Sequence, residues 1–291
     1  MTIYCFGAIN MDYVYALPHR LVPGETLAAR SFSVGLGGKG ANQSVAAARA
    51  GANVRHIGAV GADGAERELA AAGVDVAGVQ TVTEATGHAI ILLEPEGENS
   101  IILHPGANHA MDPATAKAAL AGAEIGDILL LQNEVAHVPE MAEHAMGLGM
   151  EVIYSAAPFH PKAVKAVLPF TNILIVNAVE AAQLRAALDT SFKDLPVETV
   201  IVTKGAEGAD GYAGGKLDLH VPARAAQVVD TTGAGDCFTG ALAAALDTNL
   251  PPTAAMRFAA AAAGLQVARF GAAPAMPTRA EIDAVIGDAV G

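Results

Sequence analysis

Apolar and polar positions along the chain change period in blocks. Ile3 to Ile9 is a short apolar, β-prone run. Asn42 to Ala50 reads as a helix, and Asn53 to Val60 as a strand closed by Gly61. Glu66 to Ala72 is a short helix, Gly87 to Leu93 an alternating strand, and Ile101 to His104 another strand. Ala114 to Ala121 then leads as a helix into the apolar run Ile128 to Gln132. Pro139 to Leu148 (helix), Glu151 to Ser155 (strand), Ile173 to Val176 (strand), Val179 to Leu188 (helix) and Thr199 to Thr203 (strand) continue the alternation. Two long helices, Gly233 to Leu246 and Pro252 to Arg269, close it. Strands that are nearly continuous in apolar residues, alternating with helices, predict a mostly parallel sheet covered on both faces, a three-layer α/β/α fold.

Two stretches break the rhythm. Residues 13–34 and 86–104 are strand-rich, carry turns such as Val22-Pro23-Gly24-Glu25, and hold no helix. They are expected to pair as a small antiparallel sheet across one edge of the main layer, a β lid on a single domain of residues 1–291. No internal repeat or low-complexity linker divides the chain.

Composition sharpens this picture. Hydrophobic residues make up 52% of 291 residues and charged residues 16%, the balance of a large buried core. Alanine runs such as Ala259 to Ala263 suit helices packed closely on a sheet. The most apolar stretch, Phe258 to Val267, is far shorter than the roughly 20 residues a bilayer demands. The start lacks a basic leader, and the two cysteines, Cys5 and Cys237, lie far apart, so a reduced, cytoplasmic protein is expected. The nine histidines show no zinc spacing. With a net charge of −13 and no Lys/Arg cluster, nucleic acid and anionic membranes are poor partners. Any phosphate must be held by local devices.

The run Asp230-Thr231-Thr232-Gly233-Ala234-Gly235-Asp236 offers one. Glycines placed where an extended segment turns into a helix let successive N–H groups point at one spot, and the helix N-terminus adds partial positive charge. Asp236, in the first turn, is placed to take a proton from an attacking hydroxyl, worth ~10²–10⁴ in rate. Read alone, Asp230 and Asp236 could equally be turn and capping residues.

A second glycine run, Gly35-Leu36-Gly37-Gly38-Lys39-Gly40-Ala41-Asn42, opens the first helix. Its Gly-x-Gly-x-x-Gly spacing meets the dinucleotide fingerprint, but the glycines lie well beyond the first strand and no acid closes a strand about 20 residues on. It fails as a Walker A loop because Gly40, not Ser or Thr, follows Lys39. What remains is a close backbone approach flanked by Lys39 and Asn42. With Asn10 and Asp12 after the first strand, these residues make a candidate polyol-binding set; read alone, Asn10 and Asp12 could equally be ordinary end-of-strand turn formers.

Together these segments resemble the ribokinase-like (PfkB) carbohydrate kinase family over nearly the whole chain. The matching motifs are Gly7-Ala8-Ile9-Asn10-Met11-Asp12, Pro23-Gly24-Glu25-Thr26, Gly37 to Gln43, Thr86-Gly87, Gly97-Glu98-Asn99 and Pro105-Gly106-Ala107-Asn108. They continue with Gln132-Asn133-Glu134, Asn177-x-x-Glu180, Thr203-Lys204-Gly205-Ala206-Glu207-Gly208, Asp230 to Asp236 and Arg269 to Pro277. The resemblance implies an ATP-dependent kinase acting on a primary hydroxyl of a small sugar, ribose first and another sugar or a nucleoside as alternatives. It implies that Asn10, Asp12, Gly38, Lys39, Asn42 and Glu134 hold the sugar and that Asp236 is the base. The amides of Gly233, Ala234 and Gly235 become the anion hole, and Thr203, Gly205 and Gly208 line the ATP loop. Asn177 and Glu180 organise the triphosphate and Mg2+, Glu180 through a water. In many relatives a K+ ion is held by the equivalents of Asp230, Thr232, Arg269, Gly271 and a serine; Ala275 stands at the serine position here. A homodimer through the lid is a further implication. The competing classes are a nicotinamide oxidoreductase using Gly35 to Gly40 and a non-catalytic sugar or nucleotide sensor.

Overall fold

The computed structural model describes residues 1–95 and 98–287; Gly97 of the lid motif lies outside them. Its strands are β1 (Ile3–Phe6), β2 (Asn10–Ala16), β3 (Ser31–Gly37), β4 (Val54–Val60), β5 (Asp75–Thr81), β6 (Gly87–Leu93) and β7 (Asn99–His104). They continue with β8 (Ile128–Leu131), β9 (Glu151–Ser155), β10 (Ile173–Asn177), β11 (Thr199–Thr203), β12 (Ala209–Ala213) and β13 (Lys216–Val221). The α-helices are α1 (Lys39–Arg49), α2 (Glu66–Ala71), α3 (Pro113–Ala118), α4 (Val138–Gly147), α5 (Pro161–Val167), α6 (Ala178–Leu188), α7 (Ala234–Asp247), α8 (Pro252–Gln266) and α9 (Arg279–Gly287).

Nine strands form one sheet in the order β13-β12-β11-β10-β9-β8-β1-β4-β5. All its pairings are parallel except β11 with β12 and β12 with β13. Strand alternation feeds two cores. Ile3, Cys5, Ile128 and Leu130 point into one with α1, α7 and α8; Tyr4, Phe6, Leu129 and Leu131 point into the other with α3 to α6. Every residue of β1 and β8 is therefore buried, as a strand covered on both faces requires. The first core is rich in alanine because α1 and α7 nearly touch. A Cβ on Gly240 would stand 2.4 Å from the Gln43 carbonyl oxygen and 2.7 Å from the Ala46 methyl. That close approach carries the start of α7 to the start of α1.

The remaining strands form a second sheet, β3-β2-β6-β7. Two of its pairings are antiparallel, as the sequence suggested, but the central pair, β2 with β6, is parallel. The reason is connectivity: between β2 and β6 the chain makes β3, α1, β4, α2 and β5, so it re-enters the small sheet from the same end. Five strands and helices escaped the alternating pattern: β5, β13, α5 and α9, all mainly half-exposed or exposed and weakly patterned, and β12, buried over Ala209–Gly211 but short and holding Asp210 and Gly211. No helix among the described residues is long and apolar enough to cross a membrane.

Candidate active site

The order of the large sheet reverses between β1 and β8. From β1 the chain winds outward through β4, whereas β8 leads the other way through β9, β10 and β11. Such a switch point leaves a crevice beyond the carboxyl ends of the strands. Gly7 to Asn10 runs off β1 into it and Gln132 to Glu134 runs off β8. The first turn of α1 closes the crevice from above. It can do so because a Cβ on Gly40 would lie 2.6 Å from the Gly7 backbone, and because Gly38 adopts φ 88° beside the Ala8 carbonyl.

On this acceptor side, polar groups arrive pre-oriented. Asn10 is buried, and its Oδ1 accepts from Asn108 Nδ2 at 2.8 Å, while Asn108 Oδ1 accepts from the Ile9 amide at 3.0 Å. The Asp12 carboxylate lies over Gly37, where any Cβ would strike it, and burial pushes its pKa up to about 6. Glu134 accepts from the Lys39 amide at 2.8 Å and faces the Lys39 ammonium at 3.8 Å. Burial raises the Glu134 carboxyl despite that neighbour, because desolvation outweighs a single cation. Burial would lower Lys39, but the carboxylates of Asp236, Glu134 and Glu180 together hold it above its usual value. The lysine stays charged.

Asp236 sits in the first turn of α7, 7% exposed. Its Oδ2 accepts from Asn42 Nδ2 at 3.0 Å and its Oδ1 from Gln43 Nε2 at 3.1 Å. Gln43 is itself held, its Oε1 accepting from Gln132 Nε2 at 2.7 Å. A chain of amides from β8 through α1 thus fixes the direction of one carboxylate. Beside it, the N–H groups of Gly233, Gly235 and Asp236 donate to no acceptor among the described residues. The amide of Ala234 differs from the expectation: it turns back to the Thr231 carbonyl at 3.2 Å, closing a tight turn. The helix start nonetheless keeps a bare cluster of donors, as anion binding needs.

Two cavities meet at this helix start. One, of about 520 Å³, is lined chiefly by small and apolar groups, among them Ala223, Val228, Phe238, Ala260, Ala263 and Val267, with Thr203, Gly205 and Gly208 at its edge. The other, of about 200 Å³, is polar and lined by Lys39, Asn177, Glu180, Gly233 and Asp236. Thr203, Thr231, Ala234 and Gly235 border both. A flat apolar group in the larger space would thus point its polar end at the bare amides.

Asn177 and Glu180 form a capping box on α6: Asn177 Oδ1 accepts from the Glu180 amide at 2.9 Å, and Glu180 Oε2 from the Asn177 amide at 2.8 Å. Glu180 also lines the polar cavity. No cluster of three metal-ligating side chains exists among the described residues. A single carboxylate suits Mg2+ arriving with phosphates, which supply most of its ligands along with water.

The expected K+ residues do not fit that ion. The Asp230 carboxylate accepts from the amides of Thr232 at 2.9 Å and Gly271 at 3.0 Å, which hold its pKa down against the opposing pull of burial. The carbonyls of Thr232 and Gly271 each accept from Gln266 Nε2. The Ala275 side chain offers no oxygen, and its carbonyl accepts from the Arg269 guanidinium, itself a cation. These groups lie behind the anion-binding turn, whereas Lys39, Asn42, Glu134, Asn177, Glu180 and Asp236 converge in front of it. Gln43, Asn108, Gln132 and Gln266 were not foreseen as site residues. Gln43, Asn108 and Gln132 stand inside quoted motifs, and the signal for Gln266 exists only in three dimensions.

Residues 2–279 match the family model described as pfkB family carbohydrate kinase. The chain belongs to that family, and with it to the phosphotransferases that act on a sugar hydroxyl. Among individual proteins it is 35% identical to ribokinase of Haemophilus influenzae, over 96% of each chain. Its fold is similar to that of Cryptococcus neoformans ribokinase in complex with ADP, with TM-score 0.84, 32% identity and coverage of 97% of this chain and 99% of that one. It is similar also to Arabidopsis thaliana ribokinase complexed with ribose and ATP, with TM-score 0.83, 29% identity and 98% of both chains covered.

Proposed function

We propose that this chain transfers the γ-phosphoryl group of ATP to the primary hydroxyl of D-ribose, giving ribose 5-phosphate. The observation that carries the reading is the placement of Asp236. Its carboxylate is aimed by Asn42 and Gln43 and stands beside free amides where a polar and an apolar cavity meet. Asn10, Asp12, Gly38, Lys39 and Glu134 hold the sugar so that its hydroxyl donates to Asp236 (its Oδ atoms) while attacking phosphorus. The proton passes to the carboxylate as the new O–P bond forms. Charge on the transferring group falls on the N–H groups of Gly233, Gly235 and Asp236 and on the Lys39 ammonium. Glu180 would hold Mg2+ through water, and the ion, when bound, would neutralise phosphate oxygens. Thr203, Gly205 and Gly208 line the nucleotide cavity.

The same reading treats residues 1–291 as one kinase domain with residues 13–34 and 86–104 as a lid that shuts water from the sugar. The outer face of this small sheet presents Phe32, Val34 and Ile102, all more than 45% exposed, beside Tyr13 and Tyr15. A second copy of the chain covers that face in a homodimer, which sedimentation at rising protein concentration would detect. The cytoplasm is its place, consistent with the two free, buried cysteines. A coupled ADP-release screen over ribose, deoxyribose, fructose and nucleosides tests the assignment: the highest kcat/KM belongs to ribose, and a nucleoside ahead of it would reject the substrate.

A further inference from the structure

Two segments meet behind the anion-binding turn: the loop from Asp230 into α7, and the loop from the end of α8 to Ala275. They are stapled twice through the same two residues. The Asp230 carboxylate collects the backbone N–H groups of Thr232 and Gly271. Gln266, the last residue of α8 and fully buried, collects their carbonyls, with Nε2 2.8 Å from the Thr232 oxygen and 3.0 Å from the Gly271 oxygen. The amide cannot be turned round, because Oε1 would then face two carbonyl oxygens. Its Oε1 finds no partner among the described residues, so the arrangement is kept for the sake of the N–H side.

We propose that the Gln266 carboxamide takes the place of a monovalent cation in this chain, so that its phosphoryl transfer needs no K+. An alkali cation joins carbonyl oxygens by offering them positive charge; an amide NH2 group at 2.8–3.0 Å offers two N–H dipoles to the same oxygens. A cation seated there would meet those hydrogens head-on. At Thr232 and Gly271, two of the expected ligand residues, the carbonyls are already engaged, and Ala275 supplies no hydroxyl to complete a shell. The consequence is geometric. The Thr232 carbonyl stands four residues before Asp236, and with that oxygen held by Gln266 the Asp236 amide is left free for the phosphoryl group. A permanent side chain thus sets the anion hole that would otherwise wait on an ion.

This inference rests on the kinase reading only for its effect on turnover, so the test includes a readout that needs no turnover. The wild-type protein is assayed for ribose-dependent ADP release and for melting temperature in KCl, NaCl and tetramethylammonium chloride at equal ionic strength. Turnover differs by less than about twofold among the salts, and melting temperatures coincide within about 1 °C, because an ion that does not bind adds no stability. The Gln266→Ala/Ala275→Ser double variant frees both carbonyls and restores a hydroxyl. In it, KCl raises the melting temperature by roughly 2 °C or more over tetramethylammonium and raises turnover severalfold. K+-specific activation or stabilisation of the wild type overturns the proposal, as does a folded double variant indifferent to the cation. Should the double variant not fold, the wild-type series alone decides. A chain inactive on ribose would still report its cation binding by melting.

Discussion

The two halves of the crevice solve recognition in opposite ways. The acceptor half is built from side chains: Asn10 is held by Asn108, Glu134 by the Lys39 amide, and Asn42 by Asp236, whose other oxygen is fixed by Gln43 and through it by Gln132, with Asp12 buried over Gly37. The donor half is built from backbone and small apolar groups, with Gly205, Gly208, Gly235, Ala260 and Ala263 around a cavity of about 520 Å³. A sugar is small and studded with hydroxyls, so only directed partners can tell one from another. A nucleotide offers a broad flat base and a dense charge, which shape and bare amides can hold. Losing a side-chain function should therefore damage the first half, and adding a side chain the second.

The sharpest break of that contrast is Asp236→Asn, which keeps the shape and removes the base. Its kcat falls by on the order of 10² or more while ribose affinity by calorimetry stays within about threefold. An Ala263→Leu variant fills the donor cavity and raises KM for ATP by roughly tenfold with KM for ribose unchanged; an equal rise in both would dissolve the division. Gly240→Ala lies outside both halves yet touches the acceptor network, because its new Cβ must push on the Gln43 backbone. It costs about 1–3 kcal/mol in urea denaturation, and kcat drops as the Gln43 amide leaves Asp236. An unaltered midpoint would show that the two helices are not in tight contact.

Two smaller effects follow from buried titrating groups. Asp12 has its folded pKa raised from 3.8 to about 6, so the free protein takes up a proton there as pH falls through that value. Sugar hydroxyls donate to the carboxylate form, so kcat/KM for ribose declines below about pH 6, and Asp12→Asn abolishes that limb. His56 shifts the other way. Fully buried between Ser44 Oγ and the Gly7 carbonyl, it is lowered from 6.5 to about 4. The unfolded chain binds the proton first, so stability is whole above pH 6.5 and declines as pH falls toward about 4, by up to ~3 kcal/mol. Urea midpoints across that range check it, with His56→Gln flattening the slope.

Much of this arrangement could be read from residue order. Strongly apolar strands such as Ile128–Leu131 and Thr199–Thr203, and the helix after Gly233, are legible because burial on both faces or a long alanine stretch leaves one solution. The glycine turns at 37–40 and 233–235 were legible for the same reason, since few roles need that freedom. The half-exposed edge strands were not, and neither was the parallel pairing of β2 with β6, which depends on where the chain returns from. Gln132 stood inside a quoted motif, but its contact with Gln43 needed the fold. Gln266 could not be found at all: it looks like an ordinary polar residue at a helix end until folding places it between two carbonyls.

The central claim is that the helix start at Gly235 holds the migrating phosphoryl group while Asp236 takes the acceptor's proton. A crystal structure with ADP, aluminium fluoride and ribose tests it most directly. The account predicts the fluoride group within about 3 Å of the Gly235 and Asp236 amide nitrogens, and the ribose primary hydroxyl at similar distance from the Asp236 carboxylate. A fluoride group bound away from those amides, or a ribose hydroxyl turned from Asp236, would contradict it.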